Sequence, residues 1–155
     1  MKKTLAIIIG IQGSGKSTFY RKYLANDYVR VNLDTLVTRE REWTLVEECI
    51  KQGKSFAIDN TNPTWYVRAK YILYALYNGY RVVGYYFDSD LQECIKRNNL
   101  RIGKERIPEE AIHKTLSKLQ KPDYKEGFDE LYLVTNDGDN MTISKWIDDR
   151  VLYKA

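Results

Sequence analysis

The chain has 155 residues, 43% hydrophobic and 30% charged, with a net charge of +4 at pH 7. This length predicts one domain, over residues 1–155, with enough apolar side chains to form a core. The single histidine, His113, excludes Ser-His catalysis, histidine-rich zinc sites and histidine phosphorelay. Cys49 and Cys94 form no CxxC pattern, so we expect buried thiols in a reducing compartment. Without an apolar run of ~18 residues or a signal cleavage site, we expect no membrane partner and a cytoplasmic or nuclear location.

Predicted strands and helices alternate along the chain. A continuous apolar run at 4–10 predicts a strand buried on both faces. Thr61 or Asn62 is expected to cap the helix that follows the third strand. The order of elements predicts an α/β fold, with a parallel sheet covered by helices on both faces. The other predicted strands are 28–32, 55–60, 81–87 and 131–135, and the predicted helices are 16–26, 35–52, 61–79, 90–101, 107–119 and 143–151.

Residues 10–18, GIQGSGKST, match the phosphate-loop pattern G-x-x-x-x-G-K-[ST] directly after the first strand. Glycines allow successive backbone N–H groups to turn toward phosphate oxygens, and the following helix directs its positive dipole end there. Lys16 is expected to reach the β- and γ-phosphates, and the Ser17 hydroxyl to bind Mg²⁺. The pattern predicts a site for ATP or GTP, and both nucleotides fit it. The predicted nucleotide-binding residues of this loop are Gly13, Ser14, Gly15, Lys16, Ser17 and Thr18.

Two aspartates follow neighbouring strands. Asp34 comes just after the second predicted strand and Asp59 ends the third, SFAIDN. Ligands gather at the carboxyl edge of such sheets, so Asp34 is placed to accept a proton from a hydroxyl acceptor. Its position fits equally a cap on the next helix. Asp59 is predicted either to bind Mg²⁺ or to face the acceptor.

A basic segment, KRNNLRIGKER at 96–106, is the candidate lid. Arg97 and Arg101 are four residues apart and would share one face of a helix. Two such guanidinium groups can bind phosphate oxygens and stabilise charge that develops during transfer. Gly103 would let the segment close over the site. The alternative is a solvated, charged helix face.

Together these segments resemble the 5′-hydroxyl polynucleotide kinase family, which comprises the kinase module of DNA-repair kinase-phosphatases and the phage polynucleotide kinases. GIQGSGKSTF resembles the family's phosphate loop, and YVRVNLDTL resembles its strand carrying N-R-D-T-L. The segment 51–71 resembles K-Q-G-K-x-x-A-I-D-N-T-N-P, and KRNNLR, IP and EGF follow in the family's order. The likeness covers most of residues 3–130.

The resemblance implies a P-loop NTPase kinase fold, with a five-stranded parallel sheet flanked by helices and a helical lid. It implies in-line transfer of the γ-phosphate of ATP, with Mg²⁺, to the 5′-hydroxyl end of DNA or RNA. By the same resemblance Asp34 is the general base, Lys16 and Arg101 are catalytic, and Arg97 binds the donor phosphates. Ser17 and Asp59 are the implied metal residues. The implied acceptor residues are Asp59, Asn60, Thr61, Asn62 and Arg68. Trp65 is a further candidate from its position beside this motif, and the alternative for the aromatic residues of this helix is packing against the sheet.

Two positions depart from this family. Leu33 precedes the base where relatives often carry arginine, and Val37 follows where phage members carry another. A P-loop kinase for another acceptor, such as a nucleoside, another small molecule or an aminoacylated tRNA, therefore stays open, as does a non-catalytic nucleotide-dependent switch. Arg39, Arg41 or Arg68 are candidate substitutes for the missing arginines. Because no D-x-D-x-T motif follows a strand, we expect any phosphatase or ligase partner on a separate chain.

Overall fold

A central sheet positions the candidate site, as seen in a computed structural model that describes residues 2–138 and 140–146. Its six strands are β1 (Thr4–Ile9), β2 (Val29–Val31), β3 (Phe56–Asp59), β4 (Arg81–Phe87), β5 (Glu130–Asn136) and β6 (Met141–Lys145). Their order is β2-β3-β1-β4-β5-β6. The first five are parallel, and β6 runs antiparallel to β5. This order sets the carboxyl ends of β2, β3 and β1 side by side.

Helices connect the parallel strands. They are α1 (Lys16–Phe19), continued by a π-helix (Tyr20–Leu24), α2 (Leu33–Leu36), α3 (Arg39–Gln52), α4 (Trp65–Tyr77), α5 (Leu91–Asn99) and α6 (Glu109–Lys118). Short 3₁₀ turns lie at Gly103–Glu105 and Tyr124–Glu126. Within the described part of the chain, none of these helices is long and apolar enough to cross a membrane.

The side chains of β1 show how two helical layers cover the sheet. Leu5, Ile7 and Ile9 pack with residues of α3 and α4, whereas Ala6 and Ile8 pack with α1 and the π-helix. Alternate residues of a strand point to opposite faces, and all six residues of β1 are buried. The continuous apolar run therefore reflects burial on both faces, and the predicted α/β fold with a parallel sheet of five strands is confirmed.

The sheet has one strand more than predicted. Residues 143–145, expected to begin a helix, belong to β6, where Ile143 pairs with Val134; the predicted helix residues 147–151 lie outside the described residues. The polar turn between β5 and β6 explains the difference. Asp137 and Asn140 bond each other across it, and Asn136 Oδ1 accepts from Gly138 N at 3.0 Å. These turn residues reverse the chain into a hairpin.

Several helix boundaries also differ from the prediction. The helix predicted at 35–52 is broken, because Val37 has φ 76° and Thr38 caps a new helix, α3. Thr64, rather than Thr61 or Asn62, caps α4, since its hydroxyl accepts from Val67 N at 3.2 Å. The helix α5 ends at Asn99, two residues earlier than predicted.

Candidate active site

The phosphate loop lies between β1 and α1 at the carboxyl edge of the sheet. Gly13 and Gly15 have φ values of 80° and 98°, a region that L side chains rarely adopt. A Cβ at Gly13 would lie 2.4 Å from the Cys94 carbonyl oxygen, and one at Gly15 would lie 2.4 Å from Asn136 Nδ2. Both positions therefore require glycine. Gly10 N donates to Thr61 O at 3.1 Å, which joins the loop to the segment after β3.

Lys16 lies across this loop, with Nζ donating to Ile11 O at 2.8 Å. Desolvation lowers the pKa of Lys16 to about 8. The carboxylates of Asp59 and Asp34 act in the opposite direction on this pKa, and Arg101 lowers it. The charges of Asp59, Asp34 and Arg101, which are predicted to act with Lys16, therefore interact electrostatically with its ammonium group.

Ser17 and Asp59 form the candidate metal site. The Ser17 hydroxyl donates to Asp59 Oδ2 at 3.3 Å, and Asp59 is only 2% exposed. A hydroxyl and a carboxylate are the oxygen ligands that Mg²⁺ prefers. Over residues 2–138 and 140–146, no group of three or more His, Cys, Asp and Glu side chains could hold a metal ion. The pair therefore fits a Mg²⁺ ion that takes its remaining ligands from phosphate and water.

Arg30 belongs to the same cluster, although sequence reasoning missed it. Its Nε donates to Asp59 Oδ2 at 2.8 Å and its Nη2 to Ser17 Oγ at 2.8 Å. Its guanidinium group also lies over the Tyr20 ring, 5.8 Å from the centroid. The signal available in the sequence was its place in a strand between Val29 and Val31, which face away from it.

Asp34 lies in the first turn of α2 and is exposed. Asn32 caps this helix, because its Oδ1 accepts from Thr35 N at 3.1 Å. The alternative that Asp34 is the cap is therefore wrong. Asn32 Nδ2 also donates to Asp59 O at 2.6 Å, so the turn that carries Asp34 is tied to the end of β3.

A buried glutamate braces this turn from behind. Leu33 N donates to Asn60 Oδ1 at 2.9 Å, and Asn60 Nδ2 donates to Glu42 Oε2 at 2.8 Å. Glu42 is fully buried, accepts from the Tyr71 hydroxyl and pairs with Arg39 at 3.1 Å. Burial raises the pKa of Tyr71, and the neighbouring Glu42 raises it further. Both ends of the Asn60 amide are thus used within the protein.

Asn62, predicted to bind the acceptor, instead joins two strands. It is 1% exposed, and its Nδ2 donates to Ile8 O at 2.7 Å and to Ile58 O at 3.2 Å. Its φ of 46° turns the chain out of β3. These contacts give Asn60 and Asn62 structural roles, and their predicted contacts with the acceptor stay predictions.

Arg68, also predicted to bind the acceptor, is fully buried in α4. Its Nε and Nη2 bind the two Glu126 carboxylate oxygens at 2.8 and 3.1 Å. Its Nη1 donates to Asn62 O at 2.9 Å and Gln120 O at 3.1 Å. These contacts hold the segment after β3 against the segment around Glu126.

Trp65 keeps a position consistent with its predicted contact to the acceptor. It is the first residue of α4, is 56% exposed and packs edge-on against Tyr66 with 6.0 Å between ring centroids. Its backbone N donates to Gln120 Oε1 at 2.9 Å. Thr61, which accepts from the phosphate loop through its carbonyl, lies four residues before it.

The lid arginines border a cavity of about 330 Å³ beside the phosphate loop. Arg97 donates to Gly13 O at 2.9 Å and to Asn136 O at 3.2 Å, so it bridges the loop and the end of β5. Arg101 lies beyond the end of α5, so the two arginines do not share a helical face, but both line this cavity. Thr18 and the turn after β5 complete its wall.

The base of the lid is fixed by Asn98. Its Nδ2 donates to Ile107 O at 2.7 Å, and its Oδ1 accepts from Ile107 N at 3.0 Å. Asn98 is 1% exposed, whereas Leu100 and Ile102 beyond it are strongly exposed. The candidate lid therefore has a base fixed by hydrogen bonds and a tip that faces solvent.

Comparison with known proteins supports this architecture. The AAA domain family model matches residues 5–122. A putative bifunctional polynucleotide phosphatase/kinase of Acanthamoeba polyphaga mimivirus is 33% identical over 141 residues, which cover 86% of this chain and 34% of the relative. The bifunctional polynucleotide phosphatase/kinase of Schizosaccharomyces pombe is 31% identical over 129 residues, which cover 80% of this chain and 31% of the relative. The chain thus spans about a third of the length of these curated relatives.

The fold is also shared with more distant proteins. The structure of Chaetomium thermophilum Kti12 in complex with ADP-AlF3 matches with a TM-score of 0.68 at 15% identity, over 88% of this chain and 91% of that one. The resemblance to polynucleotide kinases is confirmed by the two curated relatives, and the chain belongs to the AAA domain family with the P-loop kinase fold.

Proposed function

We propose that the protein is an ATP- and Mg²⁺-dependent kinase that transfers the γ-phosphate to the 5′-hydroxyl of a DNA or RNA strand. The observation that carries the proposal is the tie between Asn32 and Asp59 O, at 2.6 Å. It brings the turn bearing Asp34 beside the Ser17–Asp59 pair at one edge of the sheet. Similarity to two proteins named polynucleotide phosphatase/kinase supports a nucleic-acid end as the acceptor.

The donor side follows from the phosphate loop. Loop amides and Lys16 would bind the phosphates, and Ser17 and Asp59 would hold Mg²⁺, which neutralises phosphate charge when it is bound. Arg101 lines the adjoining cavity, where its guanidinium group is available to the donor phosphates. Arg97 lines the same cavity, but it already donates to Gly13 O and Asn136 O. The amides and the cations together favour the charge that develops as the γ-phosphoryl group leaves ADP.

On the acceptor side Asp34 is the proposed base. Its exposed carboxylate accepts the proton of the 5′-hydroxyl as that oxygen attacks the γ-phosphorus in line. One P–O bond forms to the acceptor while the bond to the β-phosphate oxygen breaks, and ADP leaves. The proton remains on Asp34 until solvent removes it, and no covalent enzyme intermediate is formed. Trp65, which is exposed at the start of α4, would contact a base of the strand.

A second acceptor class is favoured by two residues beside the base. Leu33 and Val37 are apolar, and Val37 is exposed. By the resemblance to polynucleotide kinases, arginine is often expected at position 33 and, as in the phage members, at position 37. A strand end lacking a phosphate contact there would bind weakly. A nucleoside or another small hydroxyl compound needs no such contact and is the alternative substrate.

The deciding experiment measures transfer of labelled γ-phosphate from ATP to short DNA and RNA strands with a 5′-hydroxyl. Strands with a 5′-phosphate and free nucleosides serve as competing acceptors. Asp34→Asn is expected to keep ATP affinity and to lose roughly 10²–10⁴-fold in turnover, the range for a general base. Asp27→Asn is the matched control, because Asp27 is an exposed aspartate before the opposite end of β2.

Label on 5′-hydroxyl strands alone, lost in Asp34→Asn and kept in Asp27→Asn, is the expected result. Label on nucleosides but on no strand would replace the nucleic acid with a small acceptor. Full turnover by Asp34→Asn would remove Asp34 from the chemistry.

A further inference from the structure

Arg30 has no part in the proposed transfer, yet it contacts both residues of the metal site. It lies in the middle of β2, with its side chain 31% exposed. Its Nε lies 2.8 Å from Asp59 Oδ2 and its Nη2 lies 2.8 Å from Ser17 Oγ. The guanidinium group therefore binds the same two oxygen atoms that are proposed to serve Mg²⁺.

A guanidinium group and a divalent ion that bind the same two oxygen atoms repel each other electrostatically. Arginine stays charged at every accessible pH, so it cannot give up its proton to admit the metal. Two cations held by one carboxylate oxygen repel strongly where water is scarce, and Asp59 is almost fully buried. Arg30 must therefore leave these oxygens, at least in part, when a metal ion arrives.

We propose that Arg30 competes with Mg²⁺ for Ser17 and Asp59, and so sets the metal affinity of the site. Before the metal arrives, the guanidinium group neutralises the Asp59 carboxylate and orients the Ser17 hydroxyl. When Mg²⁺ enters with the nucleotide, the partly exposed Arg30 side chain moves toward solvent. The inference rests on the metal site of the proposed function, but not on the identity of the acceptor.

The test compares ATP binding with and without the metal. Titration calorimetry gives the dissociation constant of ATP in EDTA and in saturating Mg²⁺. The value in EDTA divided by the value in Mg²⁺ is the factor by which the metal strengthens ATP binding. In Arg30→Gln this ratio is expected to rise about tenfold, because the metal no longer displaces a cation. Arg30→Lys keeps the charge without the two-donor fork, so a smaller rise of about threefold is expected.

Arg81→Gln is the charge-matched control. Arg81 begins β4 at the amino edge of the sheet and pairs with Glu130, far along the strands from the metal site. Its loss removes the same long-range charge and is expected to leave the ratio unchanged. Thermal melting of each variant verifies that it is folded.

The outcomes separate the inference from the metal site itself. A ratio within about twofold of wild type in folded Arg30→Gln, with a clear Mg²⁺ effect in all proteins, would refute the competition alone. A ratio near one in the wild type and in every variant would show that the metal adds nothing at Ser17 and Asp59, which overturns the Mg²⁺ site and the competition together. If the glutamine variant does not fold, the ratio measured for Arg30→Lys decides between competition and no competition.

Discussion

Replacing Arg68 with methionine separates a structural role for this residue from binding of an acceptor. The guanidinium group makes four hydrogen bonds, two to Glu126 and one each to the carbonyls of Asn62 and Gln120. Methionine fills a similar apolar volume but leaves two carbonyls without their Arg68 donor, and the Glu126 carboxylate keeps the Asp123 N–H, at 2.9 Å, but loses its cation. Breaking a buried ion pair in this way costs about 3–5 kcal/mol.

The exposure of Glu126 narrows the expected cost of breaking this ion pair. Glu126 is 13% exposed, so water partly solvates the carboxylate left behind and the cost falls to the lower end, about 3 kcal/mol. For a chain of this length each kcal/mol lowers the melting temperature by roughly 2–4 °C, so a decrease of about 6–12 °C is expected. Arg41→Met, at an exposed position of α3, is the control and is expected to change it by less than about 2 °C.

The assay is thermal unfolding followed by circular dichroism, with urea titration as the second measure. ATP affinity of the folded Arg68→Met protein is expected to equal that of wild type. Glu126→Gln and the double variant complete a cycle whose coupling measures the pair directly. A melting temperature within about 2 °C of wild type, joined to weaker acceptor binding, would refute the structural role.

Three further substitutions test strain, charge and close packing. Val37→Gly is expected to raise the free energy of unfolding by about 1 kcal/mol in urea, since a β-branched residue rarely tolerates the φ of 76° found there; a decrease would exclude strain. At pH 8, calorimetry in several buffers should show uptake of about half a proton on ATP binding, because phosphate raises the pKa of Lys16 from about 8. The affinity for ATP then falls as the pH rises above about 8. The Lys16→Met variant is expected to show neither the proton uptake nor this pH dependence. Gly13→Ala is expected to weaken ATP binding at least about tenfold, because its methyl group would lie 2.4 Å from Cys94 O; unchanged affinity would exclude that clash.

Most of the fold could be predicted from local patterns in the sequence. The apolar run at 4–10 predicts β1 because a strand buried on both faces has no polar alternation. The phosphate loop was predictable as a local pattern between a strand and a helix, and Gly13 and Gly15 adopt the positive φ that the pattern needs. The contacts of Ser17 with Asp59 and Arg30 join distant residues and were not predictable in this way. Hairpin pairing is different. Ile143 and Trp146 fit helical spacing, but Trp146 N donates to Leu131 O at 2.8 Å, a contact between distant residues that no local pattern contains.

In the candidate site, helical periodicity indicates which charged residues are buried, whereas residue type alone does not. Arg68 matches the chemistry of phosphate binding, yet it stands three and four residues before the buried Tyr71 and Ile72, on the core face of α4. Glu42 likewise stands four residues before the buried Val46 of α3.

A charged side chain on a core face must find a partner, because an unpaired buried charge is too costly. Glu42 finds Tyr71, Arg39 and Asn60, and Arg68 finds Glu126. Both networks end on the segment that follows β3, one at Asn60 and the other at Asn62 O. The spacing in the sequence therefore indicates burial, whereas the partner emerges only when the elements pack. Asn60 takes part in this bracing through its side chain, and so helps to hold the turn of Asp34 in place. Asn62 meets Arg68 through its backbone carbonyl and uses its side chain to join β1 and β3.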